Sequence, residues 1–319
     1  MSERIIDAIP AVEPSAAVKQ LEQHLSSTPR TLWGDAWRRF LRHKLALIGT
    51  AMLIFFIVAV VIGPLIYKVN REAINFKAIS AQPSIQHPFG TDDLGRDLLA
   101  RSLYGGRISL SVGFAAMLIA ISLGTVIGAV AGFFGGKIDQ VLMRVVDLFL
   151  ALPVLPLLLL TVYLFRDPVV KSFGQVFGIF LIVVTMIGAL AWMTTARIVR
   201  ATFLSLKEKE FVEAARCLGV SRGSIMFRHI LPNALSPIIV AATLEIGNAI
   251  ITESTLSFLG VGFPPDTPTW GRLVTDGINF LQIASWLPLV PGALIFLTVL
   301  SINFMGDGLR DALDPRSRL

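Results

Sequence analysis

Residues 213–233 read EAARCLGVSRGSIMFRHILPN, a polar, cation-bearing segment set between two apolar runs, 175–193 and 234–260. An apolar helix of about 20 residues crosses a bilayer, so each flank reads as a span. The segment between them is expected to stay on one aqueous side, because Glu213, Arg216, Arg222 and Arg228 would each be costly in hydrocarbon. Locally it reads as helix, break, helix. Phe211, Ala214, Ala215 and Leu218 recur at helical spacing, Gly219 suits the left-handed position past a helix end, Ser221 can cap the next helix, and Pro232 is expected to end it. Ala214 and Ala215 would form a small-residue face that another surface approaches closely. On these residues alone, an ordinary polar loop carrying a helix is the plainer reading.

The segment resembles the EAA motif of ABC importer permeases. Glu213, Ala214, Ala215, Gly219, Leu231 and Pro232 match that motif position by position, and His229 replaces its common Ile, as is usual in the peptide-transport branch. Two further strings resemble the same branch: FGTDDLGRD at 89–97 and GDGLRDALDPR at 306–316. The three together are similar to the C-type permease of the dipeptide/oligopeptide/nickel group over nearly everything after Thr31. The resemblance implies an all-α transmembrane bundle of six spans, type I ABC importer permease-like, forming one half of a heterodimeric pore with a sister permease subunit. It implies two cytoplasmic ATPase subunits that bind ATP and Mg and dock on the hairpin, with Glu213, Ala214, Ala215, Gly219, His229, Leu231 and Pro232 as the coupling residues. It also implies an extracytoplasmic binding protein that delivers dipeptides or oligopeptides. Nickel, glutathione or another small solute is the alternative cargo. An ion-coupled secondary carrier is the remote alternative; it would not need such a hairpin, and the inverted halves of such carriers are not visible here.

Composition agrees independently. The chain is 54% hydrophobic and 16% charged, which places it in the polytopic membrane class. Six spans are predicted: 45–66, 108–134, 141–165, 175–193, 234–258 and 286–305, the second and third joined by a tight turn at 135–140. Orientation follows from Lys and Arg. With the amino terminus inside, the inner segments 28–44, 135–144, 197–232 and the tail after Met305 carry 5, 2, 7 and 3, against 6, 2 and 1 in the outer segments 67–107, 166–174 and 259–285. Positive-inside bias therefore predicts both termini in the cytoplasm, and the resemblance implies a bacterial inner-membrane protein. The formal charge of +6 is accounted for by topology, and no nucleic-acid partner is needed.

Residues 1–30 are polar and poorly periodic and are expected to be disordered in the cytoplasm. No apolar core follows Arg4, so no cleaved leader is expected. In 31–44, Trp33, Trp37, Phe40 and Leu41 share one helical face and Asp35, Arg38, Arg39, Arg42 and His43 the other, which predicts a basic amphipathic helix on membrane lipid. A cytoplasmic extension of the first span is the plainer reading. The permease domain proper would be 45–306, with the hairpin at 208–232 and a tail at 307–319. Gly124, Gly128 and Gly132 repeat every four residues in the second span and predict close packing by another helix. GFFGGKI at 132–138 is not a phosphate loop, since Ala131 and Ile138 stand where Gly and Ser or Thr are required; no ATP site and no cofactor is expected in this chain.

The fifth span is the most polar. Glu245, Asn248, Thr252 and Thr255 share a face, with Glu253 beside it. Acids at that depth are expected to face the bundle interior or a watery cavity. One account makes Glu245, Asn248, Thr252 and Glu253 a translocation path that receives a peptide's amino group; the other has them fix helix packing, the Thr hydroxyls bonding their own helix. In 89–97, Asp92, Asp93, Arg96 and Asp97 read as a turn closed by ion pairs, and the resemblance adds contact with the binding protein or a gate. Pro264, Pro265 and Pro268 stiffen the last outer loop. The four His lie in separate segments and Cys217 is alone, so neither metal nor nucleophile chemistry is predicted.

Overall fold

The computed structural model describes residues 32–313; the expectations for residues 1–30 and for the end of the tail lie outside them. The helices run α1 Leu32–Phe40, α2 Lys44–Ile66, α3 Leu98–Phe134, α4 Gly136–Ala151, α5 Val154–Phe173, α6 Gln175–Leu206, α7 Glu210–Cys217, α8 Arg222–Phe258, α9 Trp270–Ile278 and α10 Trp286–Leu313. Among the described residues there is no strand, only a single bridge between Thr91 and Asp97. Five helices, α2, α3, α6, α8 and α10, are long and apolar enough to cross a membrane, and a sixth crossing arises if α4 and α5 count together.

The third predicted span is not one helix. α4 and α5 meet at 85°, because Pro153 restricts Leu152 to an extended conformation, ψ 139°, and a residue before proline avoids the helical region. The predicted turn at 135–140 also contracts, since α4 begins directly after Gly135. At the other end of α3, helix starts ten residues earlier than predicted, at Leu98, capped by the Asp97 side chain on Ala100 N–H at 2.8 Å. Arg101 and Arg107 therefore lie in a helix rather than in a loop.

The glycine stripe joins α3 to α6. A Cβ on Gly124 would stand 2.6 Å from Thr195 Cβ, one on Gly128 2.4 Å from the Ala196 carbonyl, and one on Gly132 2.6 Å from Phe203 Cβ. Bare backbone at four-residue spacing is what lets two membrane helices close to this distance. Around that seam the core divides into Val112, Ala116, Ile179, Val183 and Ile187 at mid-bundle and Val199, Phe203, Ile230 and Ala234 toward the hairpin.

α1 does not keep its apolar face whole. Ala36 and Phe40 pack with Ala46 and Ala312 against the end of α10, while Trp37 and Leu41 stay exposed. The helix ends at Phe40, so Leu41 falls in the following turn, off the face that the helical spacing gave it. His43 then starts α2, its Nδ1 accepting from Ala46 N–H at 3.1 Å.

The proline-rich loop after α8 holds a helix that the sequence pattern did not show. α9 is capped by Thr269 and plants Trp270, 1% exposed, against α3, where its Nε1 donates to the Ser102 carbonyl at 3.0 Å. Arg101 reaches across to the same helix. Its guanidinium donates to Asp92, to Asp276 at 3.4 Å and to the Pro265 carbonyl at 3.5 Å. Burial pushes the Asp276 carboxyl above its usual range against the opposing pull of Arg272 and Arg101. The 89–97 turn, the start of α3 and α9 are thus one ion-paired cap on that end of the bundle.

Candidate functional site

The polar hairpin is built where α6 stops. Lys209 is extended and α7 follows with Glu210 and Glu213 in its first turn, where acids suit the helix dipole. α7 closes with paired reverse bonds, Val220 N–H to the Ala215 carbonyl at 3.1 Å and Gly219 N–H to Arg216 at 3.0 Å. That closure places its αL residue at Gly219, φ +75°, a conformation costly to side chains with a Cβ. Ser221 caps α8 by accepting from Ser224 N–H at 3.4 Å.

Pro232 does not end the second helix. The chain widens into a π turn over Ile225–Ile230, in which Leu231 N–H bonds the Met226 carbonyl five residues back, and α8 then runs unbroken to Phe258. The widened turn ends two residues before Pro232, which has no N–H to give and whose ring would crowd a regular turn. The hairpin is therefore continuous with the most polar span.

Burial separates two faces. Val212, Ala215, Ile225, Met226 and Ile230 are sealed against Ala129, Val199 and Phe203, which locks the hairpin to α3 and α6. Glu213, Ala214, Cys217, Gly219 and Pro232 are exposed, and His229 and Leu231 half-buried. The expected Ala214–Ala215 face is not a single surface, because Ala215 packs inward and Ala214 points out. Instead Leu218, 82% exposed, and Phe227, 55% exposed, stand out beside the charged positions. Phe227 went unassigned in the sequence; its signal was an aromatic next to Arg228 in a polar segment.

The polar face of α8 also divides. Glu245, Thr252 and Thr255 are half-buried and Asn248 is exposed; both threonines donate to their own helix, to Asn248 and Ile251 carbonyls at 2.8 Å. Glu253 is only 1% exposed. It accepts from Ser109 Oγ at 3.2 Å and Ser257 Oγ at 2.8 Å, and Ser109 in turn accepts from Trp270 N–H at 3.2 Å. That chain ties α3, α8 and α9 together.

At the opposite end, Asp92 and Asp97 are 4% and 3% exposed and engaged within the chain. Asp92 accepts from Leu94 and Arg96 N–H and from the Arg96 and Arg101 guanidinia. Asp97 accepts from Tyr67 and His87, both at 2.8 Å, and burial followed by that carboxylate push the Tyr67 phenol above its usual range. Only Asp93 and Arg96 of the four retain surface. Among the described residues no cluster of His, Cys, Asp or Glu could hold a metal ion.

A bundle of membrane-length helices carrying a half-buried polar hairpin at one end defines a multi-span membrane component. The chain belongs to the family of binding-protein-dependent transport system inner membrane components, which matches residues 124–319; residues 31–83 match the N-terminal TM domain of oligopeptide transport permease C. It is 44% identical over 91% of its length to an oligopeptide transport system permease protein OppC of Haemophilus influenzae, covering 90% of that protein. It is 39% identical over 93% to a dipeptide transport system permease protein DppC of Alkalihalophilus pseudofirmus, covering 93% of it. Its fold is shared with an inward-facing structure of the MetNI methionine ABC transporter, with a TM-score of 0.52 and 21% identity over 66% of this chain and 94% of that one.

Proposed function

We propose that this chain is the pore-forming membrane subunit of an ATP-driven importer of dipeptides or oligopeptides. It pairs with a sister permease, takes force from two cytoplasmic ATPase subunits that hold the ATP and Mg, and receives cargo from an extracytoplasmic binding protein. The observation that carries this reading is the hairpin. Its inner face is sealed onto α3 and α6 while Leu218, Phe227 and Glu213 face outward, so a push on α7 moves those spans rather than a loose loop. The relatives' names supply the peptide class. Nickel or glutathione would use the same mechanics, and the chain itself hydrolyses nothing.

The coupling role has a direct test at Gly219. No neighbour lies within 4 Å of a Cβ there, so Gly219→Val strains only the local backbone, by about 1–2 kcal/mol. That is too little to unfold the bundle and enough to tilt a short hairpin. The variant is expected to insert and fold normally, co-purify poorly with the ATPase subunits, and lose substrate-stimulated ATP hydrolysis. Wild-type levels of both would remove the hairpin from the coupling path.

Orientation rests on the Lys and Arg bias, which puts the hairpin and both termini in the cytoplasm and the 89–97 turn outside. Cys217 is exposed and should resist an impermeant thiol reagent added to intact cells, then react after permeabilisation. Labelling from outside would invert the topology. In this frame Trp37 of α1 and Leu41 just after it lie against inner-leaflet lipid.

Glu245, with Asn248 and Thr252 on the same accessible face of α8, is assigned to the translocation path. Glu245→Gln is expected to slow uptake of amine-bearing peptides while the complex assembles. Unchanged uptake kinetics would leave these side chains a packing role only; Glu253 already has one.

A further inference from the structure

α2 carries Pro64 within its last turns. Proline has no amide hydrogen, so the Val60 carbonyl four residues back loses its helical donor, and the ring's crowding loosens the turn beside it. Arg107 of α3 occupies both positions, with Nε donating to the Val60 carbonyl at 2.6 Å and Nη2 to the Val61 carbonyl at 2.7 Å. Carbonyls satisfy the guanidinium's hydrogen bonds without neutralising it. Arg71, Arg96, Arg101 and Arg272 each reach a carboxylate, whereas among the described residues Arg107 meets carbonyls alone. A guanidinium offers five N–H donors, and two are used.

The position makes that charge informative. Val60 lies about 9 Å along the axis from the end of α2, at 1.5 Å per residue, where the span nears the headgroup layer. A positive charge at that depth is held by water, an acid or a lipid phosphate drawn toward it. Beside it a cavity of about 640 Å³ opens between α2, α3, α8 and α10, walled by Leu53, Ile57, Leu110, Phe114, Ile246 and Ile302, with Ser111 one turn from Arg107. The polar side chains in that lining are Arg107 and Ser111.

We propose that this groove is a site for an anionic phospholipid, its phosphate on the free N–H donors of Arg107 and one acyl chain along the α2–α3 wall. An unmatched cation at the headgroup end of an apolar groove is complementary to a molecule with an anionic head and an aliphatic tail. The inference rests on the membrane-spanning reading of the bundle, not on the cargo.

The test uses the assembled complex, purified in mild detergent, stripped of lipid and titrated with phosphatidylglycerol or phosphatidylcholine, bound lipid being counted by native mass spectrometry. The wild type is expected to retain one phosphatidylglycerol per copy of this chain and to prefer it over phosphatidylcholine roughly fivefold, the ratio that about 1 kcal/mol per basic residue gives. Arg107→Gln, which keeps a donor for the carbonyls, should abolish the preference. Ser111→Trp, which fills the groove and leaves the guanidinium in place, should abolish the bound lipid; Ile57→Phe serves the same purpose if that variant fails to fold. Equal binding of the two lipids by the wild type, or retention of phosphatidylglycerol by Arg107→Gln and a groove-filling variant, would overturn the proposal. So would cross-linking of Ile57→Cys to the sister subunit in place of lipid.

Discussion

Gly128→Leu is expected to abolish the folded subunit. A Cβ at 128 would already stand 2.4 Å from the Ala196 carbonyl and 2.8 Å from Val199 Cβ, and the first of these is backbone that cannot rotate away. Relief requires α3 and α6 to separate along the seam that also holds Gly124 and Gly132. Overpacking a well-filled interior costs about 1–3 kcal/mol when side chains can adjust; here they cannot, so the loss should reach or pass the upper end. The measurement is the yield of monodisperse protein after detergent extraction, with its thermal midpoint. Gly223→Ala is the control, because a Cβ there meets nothing within 4 Å. Wild-type yield and midpoint for Gly128→Leu would mean that the two helices are not packed through the glycine stripe.

Arg101→Leu is expected to open the opposite end of the bundle. The arginine is 1% exposed and bridges Asp92 to Asp276 and to the Pro265 carbonyl, so its removal leaves two buried or half-buried carboxylates with Arg96 and Arg272 alone. Removing one partner of a buried ion pair costs about 3–5 kcal/mol. Arg101→Lys should recover only part, since a single ammonium cannot fork across three acceptors. Hydrogen exchange is the appropriate readout: amides of 89–97 and of α9 should lose protection together while those around Gly219 keep theirs. Unchanged protection in Arg101→Leu would show that the cap is held by apolar packing alone, through Leu98, Leu273 and Leu287.

Much of the architecture was legible because the bilayer imposes a one-dimensional rule: a helix must be apolar over its crossing and must satisfy its own backbone. That rule, applied to the sequence, located five of the crossings and isolated the segment around Gly219, whose left-handed turn is a local property of Gly-Val-Ser. The bend at Leu152 was missed although its cause, Pro153, was in plain view, since an unbroken apolar run outweighed one residue. Pro232 misled in the other direction, since the π turn ahead of it lets the helix continue past the proline.

The site divides in the same way. That the hairpin is polar, capped and flanked by membrane was determined by the sequence alone, because caps and charge costs are set within a few residues. Which of its side chains face out was decided by the tertiary structure: Ala214 and Ala215 are neighbours in the chain, and only packing against Val199 and Phe203 makes one of them core. Likewise Glu245 and Glu253 were both candidates for the path, Glu253 beside the shared face, until Ser109, 144 positions away, claimed Glu253, and Arg101 was a loop cation until Asp276, 175 positions away, met it. Pairings across such separations carry no local signal, since they exist only once α3, α8 and α9 have been brought together by the burial of their apolar faces.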